Sequence, residues 1–152
     1  MLIKADTLDH PEVQALLHAH FTELQSQGLP ETSFALDLTA LRNPNITIYT
    51  AWEGDTLLGC GALKQIGPKQ GEIKSMRTVR EHLRKGVART ILQHIIAESR
   101  ARQYSLLCLE TGTSHAFHSA LKLYLGSGFK DCEPFGGYVT SDENMFLTLK
   151  LD

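Results

Sequence analysis

Residues 71–79, Gly-Glu-Ile-Lys-Ser-Met-Arg-Thr-Val, read as a strand, and a strongly periodic helix begins near Gly86. Between them lies the basic turn Leu83-Arg84-Lys85-Gly86-Val87-Ala88-Arg89. In the helix, Val87, Ile91 and Ile95 form one apolar row and Ala88, Leu92 and Ile96 a second, each at i, i+4 spacing. Arg89, Gln93, Glu98 and Arg100 take the other face. The next apolar run, Tyr-Ser-Leu-Leu-Cys-Leu-Glu at 104–110, reads as a buried parallel strand. Strand, helix and parallel strand make a βαβ crossover, which demands a sheet with a helix packed on one face.

The turn also carries chemistry. The first N–H groups of a helix have no partner within it, and the helix dipole favours negative charge there. A glycine-containing basic turn at such a point is an anion site. Its spacing matches neither the ATP-binding P-loop nor the dinucleotide fingerprint. Another cofactor with a pyrophosphate held by backbone amides fits better, and coenzyme A is the leading candidate. Between Glu72 and Arg89 the positive residues are Lys74, Arg77, Arg80, Arg84, Lys85 and Arg89, against Glu72 and Glu81. That local excess suits a polyphosphate inside a chain whose formal net charge is −2.

The remaining elements fit the same plan. A first helix is predicted over 10–27, with Asp9 as N-cap, Pro11 in the first turn, and Gly28 as stop. Val13, Leu16, Leu17, Phe21 and Leu24 recur at helical spacing. A second short helix over 33–42 ends at Asn43-Pro44. Residues 46–52 and 56–66 form a hairpin around Glu53-Gly54-Asp55, and Gly59 and Gly61 suggest a bulge or a close backbone approach. A further helix carries Phe117, Ala120, Leu121 and Tyr124, with Gly128 at its stop, and the tail alternates from 145 to 151. The order helix-helix, three strands, helix, strand, helix, strands gives an α/β fold with a mixed sheet. The 152 residues fit one domain, 1–152, without linker or repeat.

Several functions are disfavoured at this point. The charge balance argues against a general nucleic-acid or membrane-surface binder. Cys60, Cys108 and Cys132 are widely spaced and form neither a metal pair nor a disulfide framework. Buried free thiols in a reducing compartment are the expectation. The N-terminal residues are charged too early for a signal peptide, and no apolar run approaches a membrane span, so a cytoplasmic location is expected. His115 and His118 have ligand-like i, i+3 spacing but lack a third donor, and no metal is expected.

Over essentially its whole length the chain resembles the GNAT (Gcn5-related N-acetyltransferase) family. The resemblance rests on Glu72-Ile73-Lys74-Ser75-Met76-Arg77-Thr78-Val79 followed by Arg84-Lys85-Gly86-Val87-Ala88, on the order of elements, and on residues 120–129, Ala-Leu-Lys-Leu-Tyr-Leu-Gly-Ser-Gly-Phe. Leu36-Asp37 and Pro134-Phe135-Gly136 are similar to a small, single-domain bacterial branch with unassigned substrates. The family motif begins with Gln or Arg, where this chain has Leu83.

The resemblance implies the GNAT fold: a mostly antiparallel central sheet, one parallel crossover, and helices on both faces. It implies acetyl-CoA held by Arg84, Lys85, Gly86, Val87, Ala88 and Arg89, with the pantetheine arm along the main chain of Met76, Arg77 and Thr78. A backbone N–H there would face the thioester carbonyl. Tyr124 is the general-acid candidate, a phenol with a reference pKa near 10; core packing is the alternative. Glu72 is the first candidate for proton acceptor and Glu110 the second, either of them through a water, with a surface or hydrogen-bonding carboxylate as the other reading of each; Glu110 is also a candidate for substrate binding. His20 and Asp37 are candidates for the acceptor pocket, with a satisfied, half-buried histidine as the other reading of His20; Trp52 and Tyr138 are further candidates. The expected reaction is direct attack of a small-molecule amine on acetyl-CoA in a ternary complex. A protein N-terminus or lysine as acceptor, and a non-catalytic acyl-CoA sensor, are the alternatives. A homodimer through the C-terminal edge strands is allowed.

Overall fold

The computed structural model describes residues 1–26, 38–135 and 142–151. Its strands are β1 (Leu2–Asp6), β2 (Ile46–Glu53), β3 (Thr56–Gly67), β4 (Gln70–Thr78), β5 (Leu106–Gly112), β6 (Lys130–Asp131) and β7 (Asn144–Lys150). They form one sheet in the order β1-β2-β3-β4-β5-β7-β6. Every neighbouring pair is antiparallel except β4–β5, the two strands joined by the crossover. The helices are α1 (Pro11–Ser26), α2 (Leu38–Leu41), α3 (Val87–Ala101) and α4 (His118–Gly126). Among the described residues no helix is long and apolar enough to cross a membrane.

The helices cover both faces of the sheet. On one face Val87, Ile91, Leu92 and Ile95 of α3 and Tyr124 of α4 bury against Tyr49, Leu63, Ile73, Leu107 and Leu147. On the other, Val13 and Leu17 of α1 and Leu41 of α2 pack on Ile48, Trp52, Cys60 and Ala62. Strand alternation makes the division, because successive side chains point to opposite faces. Gly59 lets the first face close. A Cβ there would lie 2.7 Å from the Arg77 carbonyl oxygen and 2.9 Å from Val87 Cγ1. The missing side chain brings β4 and the start of α3 together.

Several boundaries differ from the sequence reading. The N-terminal residues form β1, paired among the described residues with β2 alone, and none of its five residues is buried, so no hydrophobic alternation betrays it. His10, not Asp9, caps α1: its Nδ1 accepts the N–H of Glu12 at 3.1 Å. Asp9 instead lies 3.5 Å from Arg42. The parallel strand starts at Leu106, two residues later than expected, because Gln103 turns the chain with φ +64° after α3. The alternating tail is no edge strand. β7 pairs with β5 along its length and with β6 at Leu147 and Thr148, so the edge on which a dimer was expected belongs to β6. Gly28, Asp37, Gly136, Tyr138 and the first part of the expected 33–42 helix lie outside the described residues.

Candidate active site

The parallel pairing of β4 with β5 stops at Ile73 and Leu109. Yet β4 runs on to Thr78 and β5 to Gly112. Beyond the last pair the two strands part, and from Ser75 to Thr78 β4 makes no pairing with β5. β4 also bulges here. Cys60 pairs with Arg77 but Ala62 with Lys74, so Ser75 and Met76 stand opposite Gly61 alone. Ser75 takes φ +55°, a left-handed conformation that costs a non-glycine residue about 1 kcal/mol. Its carbonyl accepts the Cys60 thiol at 3.4 Å. A strained bulge at a strand opening is where main-chain groups are re-aimed.

The basic turn lies at the end of this strand. Arg84 has φ +64° and Gly86 φ +81°, so two left-handed residues precede α3. Such alternation curls backbone N–H groups into an anion-binding concavity. No side chain caps the N-terminus of α3. The space beside Gly86 is open: a Cβ there would meet nothing within 4 Å. Arg84, Lys85 and Arg89 are exposed around it. An uncapped helix start, a concave main chain and three exposed cations fit a pyrophosphate. Leu83 is 54% exposed, so the departure from the family motif leaves the cradle's backbone intact.

Lys74 and Arg77 belong elsewhere. They point to the α1 face, not to the cradle, and each is already paired. Lys74 Nζ lies 3.1 Å from Glu72 Oε2, with side chains 8% and 5% exposed. Burial lowers the pKa of Lys74, opposed by the Glu72 carboxylate. Arg77 pairs with Glu23 of α1. Of the cofactor candidates, then, Arg77 can serve only through its main chain. Glu110 is the first β5 residue past the last β4–β5 pair, and its Oε2 accepts Asn144 Nδ2 at 3.0 Å. Register puts Glu72, Lys74, Cys108 and Glu110 on the α1 face of the sheet, flanking the point where the strands part.

His20 of α1 reaches the same region. Its Nδ1 is buried and has no hydrogen-bond partner among the described residues. Burial first, then the positive charge of Arg77, pushes its pKa down to about 4. Among the described residues, then, nothing satisfies this nitrogen. Tyr124 packs edge-on against Phe129 with ring centroids 5.7 Å apart. Burial raises its pKa, so the hydroxyl keeps its proton. Cys60 and Cys108 are buried and desolvation pushes both up to about 12; Cys132 is only half-buried. Trp52 donates to Thr50 Oγ1 at 2.8 Å and lines a hollow of about 280 Å³ with Leu2, Lys4 and His10. That hollow is at the β1 edge of the sheet, away from the parted strands. His115 and His118 stack edge-on at 4.9 Å.

The ion pair Glu72–Lys74 and the pair Arg77–Glu23 were missed by sequence reasoning. Alternation alone puts Glu72 and Lys74 on one face, and that signal was present. Nothing local announces that Glu23 meets Arg77 across 54 residues.

Comparison with known proteins identifies the family to which this arrangement belongs. The family described as the acetyltransferase (GNAT) family matches residues 11–129. The chain belongs to that family and is an acyltransferase. Acetyl-CoA is the donor that enzymes of this family use. The chain is 49% identical to the uncharacterized N-acetyltransferase YsnE of Bacillus subtilis, over 99% of this chain and 100% of that one. It is 48% identical to the uncharacterized N-acetyltransferase YedL of Escherichia coli, over 98% of this chain and 94% of that one. A solved Klebsiella pneumoniae structure, described as an acyl-CoA N-acyltransferase, shares the fold with TM-score 0.82 at 24% identity, over 99% of this chain and 97% of that one.

Proposed function

We propose that the protein transfers the acetyl group of acetyl-CoA to the amine of a small molecule, with both bound at once where β4 and β5 part. One observation carries the reading. The opened main chain of β4 leads directly to the uncapped, doubly left-handed start of α3. The cradle of Arg84, Lys85, Gly86, Val87, Ala88 and Arg89 takes the pyrophosphate. Met76, Arg77 and Thr78 offer main-chain N–H and C=O groups to the pantetheine arm, as an added strand would. An N–H of this run also stabilises the charge that develops on the thioester oxygen.

The amine nitrogen attacks the thioester carbon from the α1 side. A C–N bond forms and the C–S bond breaks. The amine's surplus proton passes to Glu72, directly or through water, with Glu110 beside it as a second carboxylate. Tyr124 gives the departing sulfur its proton, and CoA leaves as the thiol. The raised pKa of the buried phenol keeps that proton in place at neutral pH. Direct attack is supported by the thiols: with pKa values near 12, Cys60 and Cys108 stay protonated and are poor nucleophiles. His20 contributes to the acceptor pocket. A reducing compartment, the cytoplasm, suits the free thiols.

A mass-spectrometric screen of cell metabolite extract with acetyl-CoA tests the reading. An acetylated small amine, formed only with enzyme, is the expected result. Failure to acetylate any of a broad amine panel, by protein that acetyl-CoA still stabilises, would sink it.

A further inference from the structure

His20 Nδ1 needs an account. It is the buried side-chain polar atom without a hydrogen-bond partner among the described residues. Buried polar groups are nearly always paired, because an unmet partner costs the full desolvation of the group. Glu23, three residues on from His20 in α1 and so on the same helix face, pairs with Arg77, and Arg77 is the charge that acts most on the ring. Arg77 itself stands on the part of β4 that lies beyond the last pair with β5, opposite Cys60 and so on the α1 face. Its Nη1 is engaged by Glu23, and a guanidinium offers further N–H groups in a planar fork that fits carboxylates.

We propose that the acetyl acceptor is an amine bearing a carboxylate close by, an α-amino acid being the simplest case, with the carboxylate on Arg77 and the amino group at His20. This rests on the acetyl-transfer reading above. Charge supports it: a bare ammonium would approach a guanidinium, whereas an adjacent carboxylate cancels that repulsion. Hydrogen bonding supports it too. In one imidazole tautomer Nδ1 accepts an amine N–H; in the other it donates to a carboxylate oxygen. The same ligand satisfies either. The depressed proton affinity of His20 keeps the imidazole neutral at pH 7, so a third cation is not added to the pocket. With its amino group held by Nδ1 and its carboxylate by the fork, the amine would present its remaining lone pair in a fixed direction, which is what an acyl transfer needs.

The test compares matched acceptors: each common L-amino acid, its amide, and the amine left when the carboxylate is removed, for example phenylalanine, phenylalaninamide and phenethylamine. Thiol release from acetyl-CoA and mass spectrometry of the product give the rates. At least one amino acid should exceed its amide and amine by about tenfold or more in kcat/KM. Arg77→Gln should erase that preference. His20→Ala should raise the amino acid KM by about tenfold with the KM for acetyl-CoA unchanged. Equal or better rates with the amide or amine overturn the proposal. So does a panel in which nothing is acetylated while acetyl-CoA still raises the melting temperature, which leaves the donor cradle standing. Loss of that stabilisation in the wild-type protein would overturn the cradle, and this proposal with it.

Discussion

The two sides of the proposed site are built from different parts of the chain. The proposed donor side is main chain: an opened strand edge, a bulge at Ser75 and a helix start at Gly86. The proposed acceptor side is side chain: Glu72 with Lys74, Arg77 with Glu23, Glu110 with Asn144, and His20, whose Nδ1 has no partner among the described residues. Main-chain donors are supplied by any residue whose backbone can adopt the shape. That is why Leu83 can stand where relatives of the family carry Gln or Arg. Side-chain donors depend on each residue's identity and on which helix lies over which strand. The donor side should therefore respond to changes of backbone conformation, and the acceptor side to changes of charge.

The largest effect should come from breaking the buried pair on the acceptor side. Glu72→Ala leaves the Lys74 ammonium buried without its carboxylate, which costs about 3–5 kcal/mol. Urea denaturation reads this directly, and Glu72→Leu combined with Lys74→Met should recover much of the loss. A double variant as unstable as the single one would mean the pair contributes nothing beyond packing.

Gly86→Asp should come next, on the donor side. With open space around the Cβ the protein still folds, at a cost of about 1 kcal/mol for a side chain at this left-handed φ. The carboxylate then occupies the anion site, and binding of acetyl-CoA should weaken by about a hundredfold or more, read as lost thermal stabilisation. Normal stabilisation of the folded variant would move the pyrophosphate elsewhere.

Tyr124→Phe removes a hydroxyl while keeping the ring against Phe129. Stability should change little, and kcat should fall by about tenfold or more if the phenol protonates the leaving sulfur. Unchanged acetyl transfer would return Tyr124 to the core.

The smallest effect at neutral pH concerns His20. Its folded-state pKa of about 4 lies below the unfolded value near 6.5. The unfolded chain then binds more protons between these values, so stability should fall as pH drops from 6.5 towards 4. At pH 7 both states are neutral there and the contribution is complete. His20→Asn should flatten this part of the stability profile by roughly one proton's slope. A slope identical to wild type would show that the imidazole is not buried as described.

Much of this was legible in the residues. The paired apolar rows at 87–96 announced α3, and the run at 104–110 announced the parallel strand, because each period repeats within a few residues. β1 was not legible, since none of its residues is buried and its pairing with β2 is made across some forty residues of chain. The cap of α1 was misread by one residue because Asp9 and His10 are both able to accept an N–H, and only the fold of the chain before Pro11 decides between them.

The sequence by itself determined the crossover, the amphipathic α3 and the basic glycine turn ahead of it. These depend on local period and backbone freedom. The tertiary structure alone decided that β4 and β5 part after Ile73 and Leu109, that Lys74 and Arg77 turn away from the cradle, and that His20 comes to rest beside Arg77. Those outcomes depend on register and on the docking of α1 over β4, contacts between segments more than fifty residues apart. Alternation puts Lys74 on the face of Glu72, but no short-range pattern encodes the rest.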